Sequence, residues 1–205
     1  MVAAVFILVL EWGNTMSELP WHARLLAALF PSISMRSAGF NTIDFGSMHA
    51  ATLVLACVVM FIGASPGSTG GGIKTTTFAA IFAEFRAELE GHGSARLFDR
   101  RLAEGVVRRA MGVAFLSLGI VSSLTFLLLL TDDHEPLATF FEVVSAFSTS
   151  GLSTGTARNL SLAGKLVIMS AMFIGRIGPL TVALAMASET RRAAVQLASE
   201  RVMIG

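Results

Sequence analysis

Two short polar segments, each with a glycine near its centre, are the part of this chain best suited to bind an ion. They read SAGFNT around Gly39 and STSGLSTG around Gly151. Glycine adopts backbone dihedrals forbidden to other residues, so successive carbonyl groups can point to one side. Rings of such carbonyls replace the hydration shell of a permeating cation. We therefore predict filter strands over residues 37–42 and 148–154, with these ion-binding residues: Ala38, Gly39, Phe40 and Asn41, then Thr149, Ser150, Gly151 and Leu152.

A glycine-rich stretch, MFIGASPGSTGGGIKTTT, runs from Met60 to Thr77 between two apolar segments. Glycine costs about 1 kcal/mol and proline about 3 kcal/mol per residue in a helix interior, so this run cannot stay helical. In hydrocarbon, broken backbone is tolerated only where protein or a water-filled cavity satisfies its amides and carbonyls. The stretch therefore predicts a break within a membrane helix, beside a path for a polar solute.

The composition places the chain in lipid. Hydrophobic residues make up 54% and charged residues 14%, against roughly 25% charged residues in an average soluble domain. The mean hydropathy is +0.71. A net charge of +1 gives no reason to expect a nucleic-acid partner. The single cysteine, Cys57, is expected to be a small buried apolar residue.

A short helix is expected to precede each of the two filter strands. PWHARLLAALF is predicted to be helical through about Phe30, with Pro31 ending it, within a first pore helix at about 20–34. The second pore helix is expected at about 136–147. Ala110–Leu130 supplies about 21 uncharged residues, enough to cross a bilayer. The remaining expected segments are a broken helix at 48–88, a linker at 91–105 and a last helix at 160–190.

The distribution of basic residues predicts the orientation. Residues 86–109 contain six arginines, whereas residues 131–135 contain no Lys or Arg. By the positive-inside rule, segment 86–109 and the C-terminus are cytoplasmic, in a multi-pass protein of the inner cell membrane. Residues 1–10 are apolar but span only about half of a bilayer core. We interpret them as the second half of a helix whose beginning is absent from this chain.

An internal repeat relates the two halves. Gly39 pairs with Gly151, and Met60-Phe61-Ile62-Gly63 pairs with Met172-Phe173-Ile174-Gly175, both at an offset of 112 residues (151 − 39 = 175 − 63 = 112). Internal repeats are typical of transport folds, in which sites lie where repeats meet. The fold class we expect is an all-α membrane protein of two tandem helix–pore-helix–helix units, at 1–90 and 106–205. The second helix of the first unit is broken by the glycine-rich loop.

Two enzyme motifs provide alternative interpretations. Gly63-Ala64-Ser65-Pro66-Gly67 and Gly151-Leu152-Ser153-Thr154-Gly155 both match G-x-S-x-G, the nucleophile elbow of serine hydrolases. That chemistry needs a histidine at similar depth, yet all four histidines fall near helix ends or in loops. GSTGGGIKT resembles a phosphate-binding loop, but Ile73 stands where that motif requires glycine. We expect no enzyme activity and no cofactor.

The motifs SAGFNT, STSGLST, GASPGSTGGGIKTTT and FIGRIGPLT resemble those of the Trk/Ktr/HKT superfamily of potassium transporters, most closely its Ktr-type membrane subunits. Members of that superfamily contain four helix–pore-helix–helix units around one pore. This chain resembles the third and fourth units over nearly all its length. The resemblance implies that the chain takes up K+, with Na+ as another candidate ion, and that the first two filter strands come from an N-terminal half or a second copy.

The resemblance also implies a gate and partners. The gating residues would lie in an intramembrane loop and on the last helix, where Arg176 faces the pore. An arginine at bilayer depth costs about 3 to more than 10 kcal/mol, so it faces a bundle interior or water. Two subunits would pair, and a cytoplasmic nucleotide-binding ring would regulate them. The implied gating residues are Gly67, Ser68, Thr69, Gly70, Gly71, Gly72, Lys74 and Arg176.

Three alternatives to these roles stay open. Lys74 could extend to lipid headgroups instead of acting in gating. Arg176 could be paired structurally with a carboxylate or with carbonyls at a helix end. The whole chain could also be a non-conducting half or a remnant of such a transporter.

Overall fold

The computed structural model describes residues 2–91, 96–97, 100–103 and 105–178. The described chain is mostly helical. Its helices are α1 (Val2–Glu11), α2 (Trp21–Ser34), α3 (Ala50–Phe61), α4 (Thr75–Leu89), α5 (Val106–Thr131), α6 (Pro136–Phe147) and α7 (Leu162–Ile177). Short 3-10 turns cover Phe45–Ser47 and Thr156–Asn159, and two-residue strands β1 (Arg96–Leu97) and β2 (Arg100–Arg101) pair antiparallel.

This small hairpin is a departure from the expected all-α class. It lies within the predicted linker, between α4 and α5. The sequence order of a helix, a short helix, a polar loop and another helix occurs twice among the described elements. The interpretation of these elements as two pore units stays a prediction.

Within the described residues, one helix is long and apolar enough to cross a membrane. This is α5, with 26 residues and a mean hydropathy of 2.4 over its most apolar window. Helices α1, α3 and α6 are apolar but have only 10 to 12 residues. The predicted last helix is seen as α7, which ends at Ile177. The part of it predicted beyond residue 178 lies outside the described residues.

Helix α6 lies at the centre of the bundle. Eight of its residues, from Thr139 to Phe147, are buried, and it packs against α3, α5 and α7. The Phe141 ring lies 5.5 Å from that of Phe45, measured between centroids, and is fully buried. A 12-residue helix that is buried nearly all round supports other elements and does not face lipid. Its C-terminal end is therefore held in a fixed place, and the second filter segment, residues 148–154, begins there.

Pro31 does not end α2, contrary to the sequence prediction. The helix continues to Ser34, and the Met35 amide donates to the Pro31 carbonyl at 2.9 Å. Proline removes only its own amide donor, so the turn after it can still close. Helix α2 therefore continues to Ser34, shortly before the first filter segment.

A carboxylate near the end of one helix caps the start of another in both halves. Glu11, the last residue of α1, accepts from the His49 amide at 2.9 Å and the Thr52 hydroxyl at 2.5 Å, at the start of α3. Asp132, directly after α5, accepts from the Ser161 amide at 2.7 Å, at the start of α7. His49 and Ser161 are themselves 112 residues apart (161 − 49), so the capped positions follow the sequence repeat.

Candidate functional site

The two predicted filter segments meet at their glycines. A Cβ atom built on Gly151 would lie 3.3 Å from the Gly39 Cα, and one built on Gly39 would lie 3.1 Å from the Ser150 carbonyl oxygen. Both glycines have positive φ, +74° and +81°, where other residues are strained. The Ser150 hydroxyl also donates to the Met35 carbonyl at 2.9 Å. The two loops are therefore in direct backbone contact although they are 112 residues apart.

The backbone repeats the same conformation in each loop. Ser37 and Thr149 are the non-glycine residues with positive φ, +106° and +55°, within the described chain. Each lies two residues before its glycine, so the pairs Ser37/Thr149 and Gly39/Gly151 share the offset of 112. Positive φ in a non-glycine residue is rare and costs about 1–3 kcal/mol. The repeat seen in the sequence thus extends to two unusual dihedrals in each loop.

A serine of the preceding helix fixes each loop after its glycine. The Ser145 hydroxyl donates to the Leu152 carbonyl at 2.5 Å, and the Ser34 hydroxyl donates to the Phe40 carbonyl. These two carbonyls are therefore directed back toward α6 and α2. A carbonyl oxygen has a second lone pair, so Phe40 and Leu152 keep the capacity to bind an ion.

A polar cavity of about 550 Å³ lies where the loops meet. Both glycines line it, together with Asn41, Asp44 and Arg158. Arg158, in the 3-10 turn after the second loop, was not singled out by the sequence analysis. Nothing in its sequence context distinguishes it, since one arginine in a polar loop is common.

The glycine-rich stretch forms an irregular loop between α3 and α4. Ile62 and Ile73 pair as an isolated parallel bridge, and the Ile73 amide donates to the Phe61 carbonyl at 3.3 Å. Helix α3 ends at Phe61 and α4 begins at Thr75. That the stretch between them breaks a single membrane helix stays a prediction. We call residues 63–74 the glycine-rich loop.

The glycine-rich loop touches the second filter segment. The Gly71 amide donates to the Thr149 hydroxyl at 2.7 Å and to the Ser148 carbonyl at 3.1 Å. A Cβ atom on Gly71 would lie 2.9 Å from the carbonyl oxygens of both Phe147 and Gly175. Glycine is thus required here because three backbone segments approach one another closely.

Two cationic side chains hold consecutive carbonyls of the glycine-rich loop. The Arg176 guanidinium donates to the Thr69 carbonyl, and the Lys74 ammonium donates to the Gly70 carbonyl. Arg176 also lines a cavity of about 480 Å³ that reaches Thr149 and Gly151. The gating roles of Lys74 and Arg176 stay predictions. Gly67 and Ser68 are exposed at the tip of the loop.

Glu142, on α6, is a buried charged residue that the sequence analysis did not single out; Glu11, described above, is another. The Glu142 side chain is 5% exposed and accepts three hydrogen bonds from Ser153 and Thr154. A glutamate within the otherwise apolar PLATFFEVVSAF was the available signal, because a buried carboxylate requires partners.

The hydrolase alternative finds no support in the described residues. The Ser153 hydroxyl donates to Glu142, and Ser65 lies exposed in the glycine-rich loop. Among residues 2–91, 96–97, 100–103 and 105–178, no cluster of three His, Cys, Asp or Glu side chains could hold a metal. The sites built here consist of backbone carbonyls, hydroxyls and two cations.

Helices α2 and α6 lead into two glycine-containing loops that line one polar cavity, and α5 is long and apolar enough to cross a membrane. This combination is typical of membrane transport proteins. The family model described as "TrkH: Cation transport protein" matches residues 1–195. The chain belongs to this TrkH family of cation transport proteins. The resemblance to the Trk/Ktr superfamily and the expectation that the chain is not an enzyme are both confirmed.

Similar proteins include two potassium uptake proteins of Bacillus subtilis. The chain is 40% identical to Ktr system potassium uptake protein D over 98% of this chain and 45% of that protein. It is 41% identical to Ktr system potassium uptake protein B over 88% of this chain and 41% of that protein. Potassium/sodium uptake protein NtpJ of Enterococcus hirae is 35% identical over 98% of this chain and 46% of that protein. The chain thus spans less than half the length of these relatives.

A solved structure shows the same fold. The potassium transporter TrkH from Vibrio parahaemolyticus superposes with a TM-score of 0.74 at 21% sequence identity, over 91% of this chain and 42% of that one. At this identity the likeness concerns the fold alone.

Proposed function

We propose that this chain forms half of a potassium-conducting pore in a cell membrane. The observation that carries the proposal is the contact between Gly39 and Gly151, in two loops with matched positive-φ residues. Two loops brought together in this way can present carbonyls to a shared axis, as a cation filter requires. Potassium is favoured because two similar proteins are potassium uptake proteins, while NtpJ keeps sodium as a second candidate ion.

The proposed filter consists of residues 38–41 and 149–152. Carbonyls of Ala38, Gly39, Ser150 and Gly151 are the best placed, because those of Phe40 and Leu152 already accept serine hydroxyls. Two further strands are required for a closed ring. They would come from an N-terminal half or from a second copy of this chain.

The glycine-rich loop and Arg176 form the proposed gate. The glycine-rich loop contacts Thr149 of the second filter segment, and its Thr69 carbonyl accepts from Arg176. The loop therefore connects this filter segment to Arg176. A fixed positive charge on a cation path raises the barrier to conduction. Displacing the loop would release Arg176 from Thr69 and change that barrier. Residues 67–72 and Lys74 take part because they form or hold the loop.

The assembly follows the family resemblance. We propose a multi-pass protein of the inner membrane that pairs with a second pore-forming subunit and binds a cytoplasmic nucleotide-binding ring. The arginine-rich segment 86–109 and the C-terminus would face the cytoplasm. No covalent cofactor is part of the proposal.

Gly151→Ser tests the filter in the assembled transporter. We expect uptake of radioactive rubidium, a potassium analogue, to become more sensitive to competing sodium, because serine is strained at φ +81°. Gly119→Ser is the matched control, since Gly119 lies in α5 with nothing within 4 Å of an added Cβ. Unchanged discrimination in Gly151→Ser would overturn the filter assignment.

Deleting residues 67–72 tests the gate. We expect a higher rubidium flux, because the loop would no longer bring Thr69 and Gly71 against Arg176 and Thr149. A lower flux from a correctly inserted protein would show that the loop is structural.

A non-conducting half is the second candidate, because the chain covers only 45% of its potassium uptake relative. Liposomes containing the chain alone, and the chain with an N-terminal half, distinguish the two. Rubidium uptake in either preparation excludes the non-conducting interpretation, whereas its absence from both supports it.

A further inference from the structure

Three hydrogen bonds converge on one oxygen of Glu142. Its Oε1 accepts from the Ser153 hydroxyl at 2.6 Å, the Thr154 amide at 2.9 Å and the Thr154 hydroxyl at 3.1 Å. Glu142 is 5% exposed and lies in the centre of α6. Burying a carboxyl group is unfavourable unless its oxygens are hydrogen-bonded. The loop donors therefore stabilise Glu142, and Glu142 in turn holds the loop.

The donors lie directly after the residues proposed to bind ions. Ser153 and Thr154 follow Leu152, whose carbonyl accepts from Ser145. Glu142 and Ser145 are three residues apart and so lie on the same face of α6. One face of a buried helix thus fixes three consecutive residues of the second loop.

The first loop has no such anchor among the described contacts. Ser34 and Ser145, the helix serines that hold the two loops, are 111 residues apart (145 − 34), so the residue of α2 that corresponds to Glu142 is Pro31, whose side chain has no hydrogen-bonding group. The Ser34 bond to the Phe40 carbonyl is present, but the next residue, Asn41, donates only locally, to the Ile43 carbonyl at 3.3 Å. The two loops therefore share a backbone conformation, but within the described chain only in the second does a buried carboxylate bind the residues that follow the filter.

We propose that Glu142 is a positioning residue that sets the ion discrimination of the second filter strand. The inference rests on the proposed filter function. Bonds to a carboxylate are stronger than bonds between neutral groups, so the second strand is held more tightly than the first. A strand held at residues 152–154 keeps the Gly151 carbonyl in place, and the arrangement of carbonyls decides which cation replaces its water most readily.

Three variants of the assembled transporter are compared with the wild type. They are Glu142→Gln, Glu142→Leu and a double variant, called the donor pair, that carries both Ser153→Ala and Thr154→Val. The readout is the ratio of rubidium uptake without and with competing sodium, together with the thermal unfolding midpoint. Glu142→Gln keeps an acceptor, whereas Glu142→Leu and the donor pair remove the hydroxyl contacts. We expect discrimination to fall in the order wild type, Gln, Leu, by about tenfold for Leu. The donor pair should fall between wild type and Leu.

Asp132→Asn is the matched control. Asp132 also accepts an amide and a hydroxyl, from Ser161, but at the start of α7 instead of in a filter loop. Removing a carboxylate that has only a structural role should lower the thermal unfolding midpoint in the same way but leave the discrimination between rubidium and sodium unchanged. Asp132→Asn is expected to do so, whereas the Glu142 variants change discrimination.

Two outcomes separate this inference from the proposed function. If Gly151→Ser alters discrimination but Glu142→Gln and the donor pair do not, the role of Glu142 is wrong and the filter stands. If Gly151→Ser has no effect, the filter assignment itself fails. Should Glu142→Leu fail to insert, the Gln variant and the donor pair still decide, because the Gln variant keeps an acceptor at position 142 and the donor pair keeps the bond from the Thr154 amide.

Discussion

Gly39 and Gly151 approach each other so closely that a Cβ atom added to Gly151 would lie 3.3 Å from the Gly39 Cα. Each also has positive φ. A side chain at either position would therefore act on both loops, through local strain and through the neighbouring backbone. This contact makes the two halves of the chain interdependent at their glycines.

Changing both glycines should give less than the sum of the single changes. Residues in contact show coupling of about 0.5–3 kcal/mol in double-mutant cycles. We expect Gly39→Ala and Gly151→Ala each to lower discrimination against sodium, with the double variant less impaired than additivity predicts. Rubidium uptake at several sodium concentrations measures the effect. Strict additivity would mean that the loops act separately.

Removing the positive charge of Arg176 should raise flux. Arg176→Gln deletes a unit charge beside the Thr69 carbonyl and near the proposed path, so we expect rubidium uptake to rise by about threefold or more. Lys165→Gln is the control, because Lys165 is exposed on the same helix, near its start. Equal effects of the two variants would point to net charge and not to the position of Arg176.

The Thr149 hydroxyl should help hold the glycine-rich loop closed. Thr149→Val keeps the shape of the side chain but removes the nearer of the two acceptors of the Gly71 amide and leaves only the Ser148 carbonyl. A hydrogen bond of this kind contributes about 0.5–1.5 kcal/mol, so we expect flux to rise by about two- to tenfold. Thr149→Ser retains the hydroxyl and should stay near the wild type. A higher flux in Ser than in Val would contradict the assignment.

Acid should destabilise the α5–α7 connection through Asp132. The Ser161 amide lowers the pKa of Asp132 from its ordinary value, against an opposing effect of burial, and the Ser161 and Thr131 hydroxyls lower it further. A lowered pKa gives stability that is present above the ordinary value of about 3.9 and lost as the pH falls through the lowered value.

The comparison of wild type with Asp132→Asn isolates this contribution. At neutral pH we expect the variant to unfold at a lower temperature in detergent. As the pH falls below about 4, the difference between the two proteins should shrink. A difference that stays constant from neutral to acid pH would show that the charge of Asp132 is not what stabilises α7.

The sequence identified the glycines but not their contacts. Composition and spacing alone predict the mostly helical fold, and the offset of 112 aligns Gly39 with Gly151 and Gly63 with Gly175. These features are local, because glycine and proline set backbone preferences wherever they occur. The same local reasoning failed at Pro31, where the packed α2 continues for three more residues. Tertiary packing can override such a preference, and Pro31 is buried in this structure.

What the tertiary structure decided is which groups meet. Arg176 could have paired with a carboxylate, yet it donates to the Thr69 carbonyl, 107 residues earlier. Glu142 was unremarked in the sequence, and only the folding of the second loop back onto α6 brings Ser153 and Thr154 to its oxygen. A glutamate within an apolar helix signals that its carboxylate needs partners, but the identity of those partners depends on how the loop and helices pack, and no local pattern of residues specifies it. The sequence therefore determined where helices are interrupted and which positions of the two halves correspond. Packing around α6 determined which groups bind to those positions.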